Sequence, residues 1–322
     1  MKLTSITGPN GPTPAALLTN GRMVDLAAAS AAGMIEGDPV LDIIQILTLD
    51  SSIHLSTRSF IDRLEAGEPG LVDKLNELGA LSNAADAVYA PILRPRVIIS
   101  SGMAYKNRTQ PGAALPPAPT AFMKSPSTVN AHGQPLVLPA HDPDMMDYEC
   151  EFSCVIGRSF HNVAPEEALA HVAGYTMVND LGSRSHTAEW IDATKSGDPL
   201  EAARTYLLRI FDKQLPGTCP LGPVIVTADE YGDPGDAYIE TRLNGQVMQS
   251  AHASDLVFPL AYTLSYFSRW FRFEPGDVIT TGSPPGFAYS QNPPRYLRPG
   301  DVIEVWSPKI GALANPVVAA NE

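Results

Sequence analysis

The sequence predicts an α+β protein rich in β-strands, with a small N-terminal domain over residues 1–92 and a larger, mostly β domain over residues 93–322. Three observations carry this expectation. Ala-rich, helix-like stretches, DLAAASAAGMIEG and SFIDRLEAGEPGLVDKLNELGALSNAADA, fall in the first ninety or so residues. Pro91 and Pro95 then break any helix ahead of the strand-like run RVIISSG. Beyond that point alternating segments and turn residues dominate.

The elements follow in order. From Gln110 to Pro143 the chain is rich in Pro and Ala and has little periodicity, which suits a long loop over a site. Asp147 to Ile156 reads as a strand. Ala164-Pro165-Glu166-Glu167 starts a helix with Pro and acids in its first turn, and GYTMVND reads as a second strand ending at Asp180. IVTADE begins as a further strand. Asn244-Gly245 sits between alternating segments and marks a hairpin. Pro275-Gly276-Asp277-Val278-Ile279 recurs as Pro299-Gly300-Asp301-Val302-Ile303, each a turn feeding a strand.

The strand, helix and returning strand bring chemistry with them. Side chains alternate across a strand, so Glu149 and Glu151 share one face while Cys150, Phe152, Cys154 and Ile156 share the other. The return can set Asp180 beside the two glutamates. Three carboxylates without a nearby His or Cys ligand suit a hard cation, Mg²⁺ or Mn²⁺ with Ca²⁺ as a further option, in preference to zinc. The alternative is a Glu-x-Glu strand that is only a solvated sheet face.

Composition narrows the partners. The chain of 322 residues is 44% apolar and 18% charged, which is ordinary for a globular protein. Its net charge of −13, from 35 acids against 22 Lys and Arg, repels a phosphate backbone and argues against nucleic acid. Three cysteines, Cys150, Cys154 and Cys219, suggest reduced thiols, and with no signal-like N-terminus or membrane-length apolar run a cytoplasmic location is expected.

From about Arg96 to Val318 the chain resembles the fumarylacetoacetate hydrolase family. The segments that carry the resemblance occur in family order: GMAY at 102–105, AFMKSPST at 121–128, DYECEFSCVIG at 147–157, HVAGYTMVND at 171–180, CPLGPVIVTADE at 219–230, RLNGQVMQS at 242–250, PGDVITTGSPPGF at 275–287 and YLRPGDVIEV at 296–305. The resemblance implies a catalytic domain built on a rolled, mixed β-sheet, a homodimer, and a divalent ion held by Glu149, Glu151 and Asp180. It implies Lys213 and Thr281 as catalytic groups and Tyr105 and Gln249 as substrate-binding positions; Arg108, able to grip a distal carboxylate, and Arg184 are further expected substrate-binding residues. The activity it implies is metal-dependent hydrolysis of a carbon–carbon bond in a 2,4-dioxo acid of catabolism. The alternative is a decarboxylase, tautomerase or isomerase of a 2-oxo acid on the same scaffold, and a non-catalytic binding protein comes third. Without the resemblance, a β-rich carbohydrate-binding module with Ca²⁺ at the same acids is also open.

The chain departs from the family pattern near the site. Where the family's hydrolases carry a His and a Glu that activate water, this chain has Arg108 and Pro111. A guanidinium stays protonated, so Arg108 cannot be a general base. The family's R-D-x-Q segment is Arg184-Ser185-His186-Thr187, the aspartate expected three residues after the lysine is Pro216, and the stretch from His186 to Asp212 is long. His186, His132, His141 and Glu189 are the candidates for a replacement base, unranked by sequence.

Overall fold

The structure is a computed structural model that describes residues 1–106 and 114–320. Two open sheets dominate it, one of eleven strands and one of five, with a two-stranded ribbon beside them. The strand-rich, mixed character read from the sequence holds.

The site-bearing strands lie in the middle of the large sheet. Cys150–Ile156 pairs antiparallel with Val172–Asn179 on one side and with Val278–Thr280 on the other. Val172–Asn179 pairs in turn with Cys219–Thr227. The helix Pro165–Ala168 connects the first two strands, as the Pro-Glu-Glu start predicts. Every residue of Cys150–Ile156 is buried, on both faces. The even positions Cys150, Phe152, Cys154 and Ile156 pack into one apolar cluster with Tyr175, while Val155 enters a different one. Full burial of Phe152 alone contributes about 2 kcal/mol.

Residues 1–92 are built onto the same sheet. Lys2–Gly8 pairs with Cys219–Thr227, setting Lys2 opposite Val226 and Leu3 opposite Ile225. Gly11–Leu17, Arg22–Asp25 and Leu81–Asn83 continue the sheet outward from it. Leu3, Leu26, Ile46 and Phe60 share one core with Val155, Val178 and Ile225.

The turn readings are realised in detail. Asn244 and Gly245 link Tyr238–Leu243 to Gln246–His252 with φ of 51° and 83°, the paired left-handed conformation that a tight hairpin of this hand requires. In the two Pro-Gly-Asp-Val turns, Asp277 accepts the Glu274 N–H at 2.9 Å and Asp301 accepts the Arg298 N–H at 2.8 Å. The stretch read as a long loop from 110 to 143 lies partly outside the described residues. From 114 onward it contains the strand Thr120–Lys124 at the end of the large sheet and the short strands Val129–Asn130 and Leu136–Val137. Runs this short, flanked by prolines, have no readable period, and pairing with distant strands creates them.

All three cysteines are buried and unbridged. Among the described residues no helix is long and apolar enough to cross a membrane.

Candidate metal centre

Glu149, Glu151 and Asp180 converge. One carboxylate oxygen from each lies within 4.8 Å of the others, and all three residues are buried. Glu149 stands just before the strand Cys150–Ile156 and Glu151 within it. Asp180 follows the strand Val172–Asn179, and its N–H donates to the Glu149 carbonyl at 2.9 Å. Strand pairing, with Cys150 opposite Asn179, therefore brings together acids thirty residues apart in the chain.

Three carboxylates in one buried place repel one another, and the protein meets the charge with cations. Lys213 donates to the Asp180 carbonyl at 2.6 Å, and its ammonium lies 2.9 Å from Glu149 Oε2 and 3.2 Å from Asp180 Oδ2. Lys124, with no exposed side-chain surface, donates to Asp180 Oδ1 at 2.6 Å and to the Lys213 carbonyl at 2.8 Å. Arg184 donates through Nε to Asp147 Oδ2 at 2.8 Å and through Nη2 to Glu149 Oε1, with its guanidinium against the rings of Phe287 and Tyr289. Ser100 donates to Asp180 Oδ2 at 2.8 Å and lies 3.2 Å from Glu151 Oε2.

The acids are not equivalent. Burial alone would push the Asp180 carboxyl up, but the Lys124 and Lys213 ammoniums outweigh it and hold the group down at about 2. Burial, and then the charges of Asp180 and Glu149, push Glu151 well above the usual carboxylate range. Glu151 Oε1 is buried with no hydrogen-bond partner among the described residues. An orphaned buried oxygen facing two further carboxylates is the donor set that a divalent cation completes, so the residues present fit such an ion. Lys213 stays protonated beside the acids: burial lowers its basicity, and Asp180 and Glu149 more than restore it.

The remaining residues singled out from the sequence fall around this cluster. Thr281 is buried at the end of the strand Val278–Thr280, with its N–H on the Phe152 carbonyl at 2.8 Å and its hydroxyl 3.4 Å from the Tyr105 hydroxyl. Burial raises the Tyr105 phenol far above its ordinary value, so it remains a neutral donor. Gln249 is buried with its amide fully engaged. Its Oε1 accepts from the Cys150 N–H at 3.2 Å and the Thr241 hydroxyl at 2.7 Å, and its Nε2 donates to the Pro284 carbonyl at 2.7 Å. It ties the Gln246–His252 hairpin arm and the loop after Thr281 to the strand that carries Glu151. Arg108 and Pro111 lie outside the described residues.

Sequence reasoning missed Lys124, Ser100 and Asp147. Lys124 left a trace: it is the sole charged side chain between Arg108 and His132, at the end of the apolar run Ala121-Phe122-Met123. A lone lysine there has to find a counter-ion or solvent. Ser100 and Asp147 left no comparable signal.

Known proteins resemble the chain over most of its length. The family profile described as fumarylacetoacetate (FAA) hydrolase C-terminal matches residues 98–318. The mitochondrial oxaloacetate tautomerase fahd2 of Xenopus laevis is 32% identical over 282 residues, covering 86% of this chain and 83% of that protein. The oxaloacetate tautomerase YisK of Bacillus subtilis (strain 168) is 34% identical over 250 residues, covering 75% and 77%. Among solved structures, the fumarylacetoacetate hydrolase EaFAH from psychrophilic Exiguobacterium antarcticum superposes with a TM-score of 0.71 at 28% identity, covering 99% of this chain and all of that one.

Proposed function

Because the chain belongs to the fumarylacetoacetate hydrolase family, we propose that it interconverts the keto and enol forms of a small 2-oxo acid of the oxaloacetate type at the Glu149, Glu151 and Asp180 cluster. The observation that carries this reading is the Lys213 ammonium, buried 2.9 Å from Glu149 among the three acids. A cation fixed there favours the anionic oxygen that develops when a proton leaves the carbon beside a carbonyl. Both tautomerase relatives support the same chemistry.

The three acids would hold Mg²⁺ or Mn²⁺, ahead of Ca²⁺, and the bound ion would supply Lewis acidity at the substrate's 2-oxo oxygen. The chain's own residues do the rest. Lys213 compensates negative charge on the substrate, and the buried hydroxyls of Thr281 and Tyr105 are donors for its second oxygen-bearing end. Arg184, bonded to Asp147 and Glu149, keeps the Glu149 carboxylate oriented. Gln249, with every polar atom engaged, supports the strand and loop that carry Glu151 and Thr281.

The hydrolytic reading expected from the sequence is second. It is favoured by the likeness to EaFAH, a hydrolase by name. Carbon–carbon hydrolysis consumes water and yields two acids, whereas tautomerisation conserves mass. Incubation of the purified protein and Mg²⁺ with oxaloacetate and with acylpyruvates, followed by mass-resolved product analysis, separates the two. Faster keto–enol equilibration with no new mass supports the proposal, and two acid products from an acylpyruvate overturn it.

A homodimer is supported by the exposed apolar side chains Met103, Leu115 and Met123, the last on the terminal strand Thr120–Lys124, and sedimentation equilibrium tests it. Three buried, unbridged thiols support a reducing compartment such as the cytoplasm.

A further inference from the structure

Keto–enol exchange needs a group that carries a proton to and from carbon, and neither Lys213 nor Arg184 is free to do so, since each is a cation committed to carboxylates. One pair beside the cluster has the right form. His186, at the start of the helix Ser185–Ser196, places Nδ1 2.5 Å from Asp212 Oδ1. Asp212 is buried, and its second oxygen has no hydrogen-bond partner among the described residues, so His186 is the group that meets its charge directly. Asp212 also immediately precedes Lys213: in that short turn one side chain reaches the triad and its neighbour grips the imidazole. On the other flank, His186 lies two residues after Arg184, which is bonded to Glu149.

We propose that His186, oriented by Asp212, is the proton carrier of the keto–enol exchange. This rests on the tautomerase reading and deepens it. An Nδ1–H donated to Asp212 fixes the tautomer and leaves Nε2, which has no hydrogen-bond partner among the described residues, as the basic nitrogen. Nε2 takes a proton from the carbon next to the 2-oxo group. The C–H electron pair forms the C=C bond, the carbonyl π pair moves to oxygen, and that oxygen is then protonated to give the enol. One proton leaves and one is returned, so no co-reactant is needed. The other candidates are placed elsewhere. His132 accepts the Ala314 N–H at 3.1 Å against the ring of Tyr89, and His141 and Glu189 are exposed. Asp212 is a positioning residue that acts through His186.

The test uses the full chain with Mg²⁺, following ketonisation of enol-oxaloacetate and deuterium uptake at its C3. H186A is expected to lower kcat at least about 100-fold with KM within a few-fold, and added imidazole to restore part of the rate. D212N is expected to lower kcat less, and H186A/D212N to be no slower than H186A alone. In the metal-free protein, proton NMR should show a strongly deshielded Nδ1 proton that disappears in H186A and in D212N. An H186A protein with wild-type rate, or one that is slow, folded and indifferent to imidazole, overturns the assignment. If the wild-type protein itself does not accelerate the exchange, the tautomerase reading falls, and the assignment with it.

Discussion

The Lys124 ammonium donates to Asp180 at 2.6 Å, and neither side chain has any exposed surface. Removing Lys124 leaves the buried Asp180 with the more distant Lys213 ammonium as its counter-charge. Lys124→Met is therefore expected to cost about 3–5 kcal/mol in the metal-free protein. The loss should shrink in saturating Mn²⁺, where the ion also meets Asp180. Guanidinium unfolding with and without the ion checks this, and equal losses in both conditions contradict it.

Glu151 carries the orphaned oxygen, and burial and the charges of Asp180 and Glu149 oppose its ionisation. Glu151→Gln should keep or raise the stability of the metal-free protein, because it removes a charge that burial and two neighbouring acids oppose. The same change should abolish the thermal stabilisation by Mg²⁺ or Mn²⁺, which for a bound ion at one hundred times its Kd is about 2.7 kcal/mol. Thermal unfolding of both proteins across an ion titration measures the difference.

Two acids pull the pH dependence in opposite directions. Asp180 is held at about 2 against an ordinary 3.8, so the fold favours its ionised form. That contribution, about 2 kcal/mol, is complete above the ordinary value and lost as pH falls toward 2. Glu151 is raised, so the fold favours its protonated form, and that contribution is complete below its ordinary value of 4.5 and lost as pH rises through the raised one. The metal-free protein should be most stable at mildly acidic pH and weaken as pH rises through the raised value of Glu151. Glu151→Gln should remove the alkaline decline and keep the acid one. Unfolding midpoints from acid to alkaline pH decide it, and a wild-type profile with no alkaline decline contradicts the assignment.

Gly286 holds the loop after Thr281 against the hairpin. Its φ is +118°, and an added Cβ would lie 2.3 Å from the Met248 carbonyl oxygen and 3.0 Å from Gln249 Cγ. Gly286→Ala is expected to cost at least about 2 kcal/mol and to disturb the Gln249 amide, with the unfolding midpoint as readout. A neutral effect would mean that the loop gives way freely.

How much of this was legible in the sequence depended on range. Glu149, Glu151 and Asp180 could be grouped because the period of a strand and a short strand–helix–strand return are local signals. Asn244-Gly245 and the two Pro-Gly-Asp turns were legible for the same reason. Lys124 was not, because its burial comes from a strand at the end of the sheet and its partners lie 56 and 89 residues away. Gln249 was found, but its engagement with Cys150, Thr241 and Pro284 depends on three separate segments meeting. His186 stood unranked among four candidates until the fold brought Asp212 to it across the helical insertion. The expected activity moved for a chemical reason: carbon–carbon hydrolysis needs an activated water, and keto–enol exchange needs only charge compensation and a proton carrier.

The central claim is keto–enol exchange at the three-acid cluster. Its most direct test follows the enol absorbance of oxaloacetate with purified protein and Mg²⁺, beside Glu149→Ala at the same concentration. Accelerated equilibration by the wild-type protein, lost in Glu149→Ala and unaccompanied by new products, is the predicted result. Equal rates in the two proteins, or hydrolytic products from an acylpyruvate with no effect on enol decay, would contradict it.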